Sequence, residues 1–323
     1  MNCFRAIKDP VTFSETDLYG RHRTNTVAAG RRIILKNILL ATDLSECANK
    51  ALPYALSVTR HHGAILYAAY VVPYDSASLY MSPADWAVMA DADEQRMRGY
   101  IATLENQVGD VPHRVMTPKG NIWDALTKIV REHEIDLLVL GTHGRTGVRK
   151  LLMGSVAENL FRRAECPVLS VGPNVSGTAQ REARFSRILF ATDFTQESLT
   201  ALPYAISLAE EDESRLTLLY VLGQPAAGIV DLEADTEFLT RRLRDLIPVE
   251  AGSWCQTECL IEYGQQFASP AERILQVAES METELIVLGV RPVHGDLGLV
   301  THLSSTTAQI LTDAVCPVLT VRG

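Results

Sequence analysis

Short apolar runs alternate with amphipathic helical patterns along most of this chain. In the first half, the strand-like runs cover residues 37–42, 65–72, 113–117, 136–140 and 168–171. Helical patterns lie between them, including a long one from Pro83 to Val108. Its counterpart in the second half, Asp231 to Leu246, is shorter. Strands that alternate with helices predict a parallel sheet with helices on both faces.

The chain also contains an internal repeat with a long period. Ala-Thr-Asp at residues 41–43 returns at residues 191–193, and Cys-Pro-Val-Leu at residues 166–169 returns at residues 316–319, both 150 residues later. Such a period indicates duplicated domains rather than a solenoid. The predicted fold class is therefore α/β, with two repeated, open, mainly parallel five-stranded sheets in a Rossmann-like arrangement. We expect an extension (1–36), a first domain (37–172), a linker (173–185) and a second domain (186–323).

Two local features qualify this division. Residues 1–36 match neither repeat and are polar and charged, so we expect them to be partly disordered, with an arm across the surface as the alternative. Pro53 and Pro203 fall inside the predicted first helix of each half. Proline there would remove a backbone hydrogen bond and kink the helix.

Composition and charge exclude several classes of protein. The 323 residues are 47% hydrophobic and 21% charged, as in ordinary globular proteins of two domains. The net charge of −9 argues against a nucleic-acid partner. We find no apolar run of roughly 20 residues and no secretory signal, so we expect a cytoplasmic protein without membrane contact. The 6 scattered cysteines fit a reducing compartment, and Cys255 and Cys259 have no further metal ligands nearby.

The chemistry concentrates in a glycine-rich loop after the fourth strand. Gly141 is followed by Gly144, and nine residues separate Gly144 from Gly154-Ser155, where a helical pattern begins. Glycines allow close backbone approach and positive φ, and a helix N-terminus offers free N–H groups to phosphate. The alternatives are that the glycines only turn the chain and that Ser155 only caps the helix. The cationic residues of this loop are His143, Arg145, Arg149 and Lys150.

This loop resembles the ATP-binding signature of the universal stress protein family. The residues from Asn37 to Asp43, from Ala51 to Ser57 and from Cys166 to Val171 resemble that family's opening strand, first helix and closing strand. The resemblance covers nearly everything after residue 36, twice over. It implies an adenine-nucleotide α-hydrolase-like fold that binds ATP, with or without Mg²⁺.

The resemblance also implies a set of binding residues. It places Asp43 near the adenine and ribose, with Ala41 beside it and the Val71 backbone at the adenine edge. The alternative for Asp43 is a favourable interaction with a helix dipole. The implied set is Ala41, Asp43, Val71, Gly141, His143, Gly144, Arg145, Gly154 and Ser155.

The second repeat departs from this pattern. Pro292 stands where the second glycine belongs, and Ser304-Ser305 aligns with Gly154-Ser155. The loop from Gly289 to Ser304 is two residues longer than the loop from Gly141 to Gly154 and contains Asp296, which would repel phosphate. We expect this repeat to bind ATP weakly or not at all, although Gly295 and Gly298 leave the question open.

The sequence shows neither a catalytic triad nor a cluster of metal ligands, so we expect slow ATP hydrolysis at most. The resemblance implies a nucleotide-dependent stress-response regulator with an unknown protein partner. The alternatives are a slow nucleotide hydrolase and an interaction module without nucleotide. Family members pair through their last strands. This implies that residues 168–171 and 318–321 pair within one chain as a pseudo-dimer, and leaves a homodimer open.

Overall fold

A computed structural model describes most of the chain, in twelve segments. These segments are residues 11–16, 22–27, 33–72, 82–109, 111–142, 160–161, 164–175, 184–222, 232–253, 255–263, 269–291 and 303–323. The strands are β1 (Val11–Thr16), β2 (His22–Val27), β3 (Asn37–Ala41), β4 (Ile65–Ala69), β5 (His113–Met116), β6 (Leu137–Gly141), β7 (Val168–Val171), β8 (Arg187–Ala191), β9 (Arg215–Leu222), β10 (Gln256–Tyr263), β11 (Leu285–Val290) and β12 (Val318–Arg322).

The helices follow the alternation that the sequence predicts. They are α1 (Glu46–His62), α2 (Pro83–Val108), α3 (Ile122–Glu132), α4 (Gln196–Leu199), α5 (Leu202–Asp212), α6 (Leu232–Asp245), α7 (Pro270–Ser280) and α8 (Ser305–Asp313), with a short 3₁₀ helix at Val249–Ser253. Residues 160–161 are also helical. Within the described segments, no helix is both long and apolar enough to cross a bilayer.

The strands after β2 form one ten-stranded sheet, in the order β10-β9-β8-β11-β12-β7-β6-β3-β4-β5. Each repeat contributes five parallel strands, as predicted. The two halves meet where β12 pairs with β7 in antiparallel register, with Leu319 opposite Leu169. The intrachain pairing of the two last strands is thus confirmed, and it covers an edge of each half-sheet that would otherwise be open.

Hydrogen bonds from side chains reinforce this seam on both sides. The Ser170 hydroxyl donates to the carbonyl of Val318 at 3.0 Å, and the Thr320 hydroxyl donates to the carbonyl of Val168 at 3.3 Å. Ser170 and Thr320 are both buried, so the bonds satisfy hydroxyls that could not reach water.

Both faces of the sheet are covered by apolar packing. In β3, Ile38 and Leu40 pack into the core on the face of α1, α2 and α5, and Leu39 packs into the core on the opposite face. Because both faces are buried, the strands read as nearly continuous apolar runs. Observed strand ends differ from the predicted ones by a few residues at most: β3 ends at Ala41 rather than residue 42, and β4 ends at Ala69 rather than residue 72.

The first helix differs between the repeats. α1 is continuous, contains Pro53, and ends at Gly63, whose left-handed φ of 60° suits glycine. In the second repeat the corresponding segment is divided into α4 and α5, and Pro203 lies in the first turn of α5. Pro203 therefore lies in a helix, as predicted, but the expected loss of a backbone hydrogen bond there was wrong. A first turn tolerates proline because its N–H would have no partner there.

The N-terminal extension contains two strands that we did not predict. β1 and β2 form an antiparallel ribbon that pairs Val11 with Val27 and Thr16 with His22. Threonine and valine are common in both strands, and β-branched residues favour extended backbone. The extension joins the rest of the chain near Ile33, whose amide donates to the hydroxyl of Ser207 in α5 at 2.7 Å.

Candidate functional site

The carboxyl ends of the central strands of the first repeat form a candidate binding edge. β3 lies between β4 and β6, and the chain passes from β4 and β5 on one side to β6 and β7 on the other. Strand order reverses between β3 and β6, and open α/β sheets bind ligands at such a point. Ala41 is paired with Leu140 at this edge, so the residues that follow the two strands start side by side.

Asp43 follows β3 in a tight turn that leads into α1. Its Oδ1 accepts a hydrogen bond from the amide of Ser45 at 3.0 Å, and the Ser45 hydroxyl accepts from the amide of Ala48 at 3.2 Å as the cap of α1. Asp43 is half-buried. The turn therefore holds Asp43 just after the end of β3, whose last residue is paired with Leu140 of β6.

Gly141 ends β6, and close packing explains why a glycine stands there. A Cβ added to Gly141 would lie 2.7 Å from the amide nitrogen of Ala48 and 2.7 Å from the carbonyl carbon of Cys47. Among described glycines, only Gly63, Gly109 and Gly120 have positive φ, so the positive φ expected from the loop pattern does not apply at Gly141. The glycine allows the first turn of α1 to pack against the end of β6.

The backbone of Val71 faces the same edge. The amides of Tyr70 and Val72 donate to Met116 and Pro118, at 3.0 and 2.9 Å, on the β5 side. Peptide groups alternate in direction along an extended strand, so the N–H and C=O of Val71 point towards the end of β3. Ala41, Asp43, Val71 and Gly141 thus lie at one edge of the sheet.

The remaining predicted residues of the first repeat cannot be placed. His143, Gly144, Arg145, Gly154 and Ser155 lie outside the described residues, as do Arg149 and Lys150. Ser155 as a helix cap and the cationic loop therefore stay predictions.

The second repeat has a cleft of about 680 Å³ at the equivalent edge. It lies between the ends of β8, β9 and β11, the first turn of α4, and the N-terminal halves of α7 and α8. Ser269 caps α7 and its hydroxyl donates to Gln309 of α8 at 3.0 Å, which ties the two helices of the wall together. A volume of this size is typical of small-molecule sites.

Asp193 occupies the position of Asp43 in this cleft. Its Oδ1 accepts from the amide and the hydroxyl of Thr195, at 3.0 and 2.6 Å. Its Oδ2 lies 3.7 Å from Nη2 of Arg291. Burial raises the pKa of the Asp193 carboxyl, but the bonds from Thr195 and Ser198 and the charge of Arg291 outweigh burial and lower the pKa below its usual range. Asp193 is therefore a carboxylate at neutral pH.

The N-terminus of α8 is capped by its own chain. The Ser304 hydroxyl accepts from the amide of Thr307 at 3.1 Å and lies 2.8 Å from the Thr307 hydroxyl. Ser304 aligns with Gly154 of the first repeat, and glycine has no side chain that could make this bond. The capping residue is Ser304 and not Ser305, the residue aligned with Ser155.

Sequence reasoning missed the threonine that precedes each aspartate. The hydroxyls of Thr42 and Thr192 accept from the amides of Leu44 and Phe194 at 3.1 and 3.0 Å. Leu44 and Phe194 have φ values of 62° and 59°, in the left-handed region that such residues rarely adopt. The shared pattern Thr-Asp-X-Ser/Thr is the signal that could have predicted this turn.

The described residues offer no other reactive centre that we can identify. No group of three or more His, Cys, Asp or Glu within them could hold a metal ion. Burial raises the pKa of the Cys166 and Cys316 thiols to about 12, so both stay protonated and unreactive. Cys255 and Cys259 are half-buried in and beside β10, and burial raises the pKa of both.

Known proteins resemble both halves of the chain. Slr1230, a universal stress protein of Synechocystis sp., is 24% identical over 314 residues, which span 89% of this chain and 100% of that protein. Universal stress protein MJ0531 of Methanocaldococcus jannaschii is 25% identical over 149 residues, 46% of this chain and 88% of its own. The crystal structure of a universal stress protein from Archaeoglobus fulgidus has a TM-score of 0.64 at 21% identity and covers 88% of this chain and 98% of that one, which shows the shared fold.

The sequence model of one protein family matches each repeat separately. It is the universal stress protein family, and it matches residues 35–172 and again residues 184–322. Together the two matches leave little beyond the N-terminal extension and part of the linker. Because both repeats match the same family, this chain is a tandem member of the universal stress protein family.

Proposed function

We propose that the first repeat binds ATP at the edge between β3 and β6 and that the protein acts as a nucleotide-dependent regulator in a stress response. The observation that carries this proposal is the position of Asp43 and Gly141. Asp43 lies two residues after the end of β3, and Gly141 is the last residue of β6. Strand order reverses between these two strands. Ligands of open α/β sheets bind at this kind of edge.

The described half of the site suits a base and a sugar. The Val71 peptide offers one donor and one acceptor, and Val71 belongs to the same apolar cluster as Ala69 and Leu140. The Asp43 carboxylate can accept a hydrogen bond from a ribose hydroxyl, as acidic residues do in other dinucleotide-binding folds. These groups favour a nucleoside portion at the strand ends.

The loop after Gly141 would supply the phosphate half. Its further glycines, Gly144 and Gly154 among them, and the serine at the predicted start of the next helix would provide N–H groups, and its basic residues would provide charge that complements a triphosphate. Mg²⁺ keeps several water ligands and takes phosphates with one or two carboxylates. Asp43 fits that donor set, so an ion would arrive with ATP rather than be held by protein alone.

The proposed regulation depends on the thermodynamic linkage between ATP binding and the folded state of the first repeat. A ligand that binds only the folded repeat stabilises it by mass action. ATP would join the strand ends to the loop after Gly141. Occupancy would therefore determine the surface that the first repeat presents to a protein partner. In this proposal binding, and not turnover, is the signal.

Calorimetric titration of nucleotide-free protein with Mg-ATP tests the proposal. We expect one ATP per chain, and Gly144→Pro should weaken binding by about tenfold or more, because proline removes an N–H and restricts φ. The matched control is Gly295→Pro in the loop of the second repeat, which should leave the affinity unchanged. If folded wild-type protein binds no ATP, the proposal is wrong, and an interaction module without nucleotide takes its place.

A further inference from the structure

The second repeat keeps the base and sugar half of the site. Ala191, Asp193 and Val221 occupy the positions of the three corresponding residues in the first repeat, and all three line the cleft. The amide of Thr192 donates to Leu219 at 3.0 Å, so Leu219 bonds towards β8. Val221, two residues further along β9, points its N–H and C=O to the same side, beyond the end of β8.

The inner wall of this cleft is apolar. It is formed by side chains from two strands, two helices and the residue before the cap of α8: Leu219, Val221, Leu288, Ile274, Ile310 and Leu303. Such a wall favours the flat faces of a ring, and the nearby peptide offers one donor and one acceptor for the ring's edge. These features suit a heterocyclic base.

The start of α8, where a phosphate would bind, already carries a side-chain cap. A phosphate at the start of α8 would need the amide of Thr307, but the Ser304 hydroxyl already accepts from that amide at 3.1 Å. A triphosphate would have to displace this cap, at a cost of about 1 kcal/mol. Pro292 also removes one N–H from the loop before the helix.

The charges around the cleft also disfavour a polyanion. Asp193 and Glu197 both line it, and Arg291 lies close to Oδ2 of Asp193. Two carboxylates and one guanidinium give these described residues a net negative charge, which repels phosphate. A neutral ligand with hydroxyl groups meets no such repulsion.

We propose that the cleft of the second repeat binds a purine nucleoside without phosphate and discriminates against ATP. Oδ1 of Asp193 accepts both bonds from Thr195, and Oδ2, which lies 3.7 Å from Nη2 of Arg291 on an exposed side chain, can also accept a hydrogen bond from a sugar hydroxyl. The base lies against the apolar wall, with its edge at the Val221 peptide. This inference concerns the second repeat and does not depend on ATP binding by the first.

Titration of the full-length, nucleotide-free protein with adenosine in saturating Mg-ATP tests this inference. We expect one adenosine per chain in addition to bound ATP. Asp193→Asn should weaken adenosine binding about tenfold, because a neutral amide is a weaker acceptor for the sugar hydroxyl. Asparagine keeps an oxygen for the bonds from Thr195, so the turn should be retained. The matched control, Asp245→Asn at the exposed end of α6 and outside the cleft lining, should leave the adenosine affinity unchanged, and Asp43→Asn tests whether adenosine occupies the first repeat instead.

Each contrary result identifies which proposal fails. Two ATP molecules per chain, no adenosine binding, or adenosine that only displaces ATP would overturn the inference about the second repeat. So would an adenosine affinity that depends on Asp43 and not on Asp193. Adenosine binding that depends on Asp193, in a protein that binds no ATP, would support this inference and remove the function proposed for the first repeat.

Discussion

The two repeats share a strand frame and differ at the carboxyl ends of their central strands. Both repeats place an aspartate in the same turn, with its Oδ1 3.0 Å from the amide of Ser45 or of Thr195. They differ in the helix that follows, which is continuous in α1 and divided in α4 and α5. The sheet and the turn after the first strand therefore maintain the same strand arrangement in both repeats. The continuity of the first helix and the chemistry of the loop can differ without changing that arrangement.

The close packing at the strand ends shows the same contrast. Gly141 is the last residue of β6 and Gly289 is the last but one of β11; both pack against the first turn of a helix, but the second repeat packs more tightly. A Cβ on Gly289 would overlap the carbonyl oxygen of Glu197 and the Cα of Ser198. The division of the helix thus accompanies a closer approach of its first turn to the sheet.

The largest effect is expected at the seam, where the repeats should be equivalent. Leu169 and Leu319 are register partners, and both are buried. Leu169→Ala and Leu319→Ala should each lower the free energy of unfolding by about 4 kcal/mol, because each leaves a cavity in a packed core. Urea unfolding measures both, and the exposed Val315→Ala is the control, with a change of about 0.5 kcal/mol at most. Clearly unequal losses in the free energy of unfolding would show that the two repeats do not contribute equally to the seam.

A smaller but unequal effect is expected at the glycines. Gly289→Ala should lower the free energy of unfolding by about 3 kcal/mol, because backbone atoms must move to admit the methyl group. Gly141→Ala should lower it by about 1–2 kcal/mol. Gly99→Ala is the control, because nothing lies within 4 Å of a Cβ there and alanine favours a helix. The measurement is again urea unfolding. Equal costs at Gly141 and Gly289 would contradict the tighter packing of the second repeat.

The cap of α8 gives a third test. Ser304→Ala should cost about 1 kcal/mol, because the amide of Thr307 loses its acceptor. Ser305→Ala, one residue later, should change the stability by about 0.5 kcal/mol or less. Thermal unfolding of both variants measures the difference. A larger cost at Ser305 would assign the cap to the residue aligned with Ser155.

The smallest expected effect is a loss of stability at acidic pH. The folded-state pKa of Asp193 is lowered, so its contribution is present above the unfolded value near 3.9 and is lost as pH falls through the folded value. Because the Asp193 side chain is more than half exposed, we expect it to contribute less than about 1 kcal/mol to the free energy of unfolding. Unfolding at pH 5 and pH 3 should show a smaller loss in Asp193→Asn than in the wild type. An equal loss in both would show that the contacts with Thr195 and Arg291 do not contribute.

Much of the fold could be predicted because it depends on local patterns. The apolar runs of β3, β6 and β7 and the span of α2 follow from burial on two faces and from helical periodicity. The turn around Asp43 was only half predicted. The aspartate was identified, but the hydroxyl of Thr42 that supports the left-handed Leu44 was not. The ribbon β1–β2 was missed because a polar, charged segment has no strong period.

The sequence by itself determined the duplication, the alternation of strands and helices, and the divergence of the second phosphate loop. These are properties of spacing and residue type along the chain. Only the tertiary structure decided the register in which β7 and β12 join the two halves, that Gly141 makes room for α1, and that the Ser304 hydroxyl caps the start of α8. The first two depend on distances between residues far apart in the sequence. The third depends on where a helix begins, which the placement of α8 against the sheet determines and the residue pattern does not.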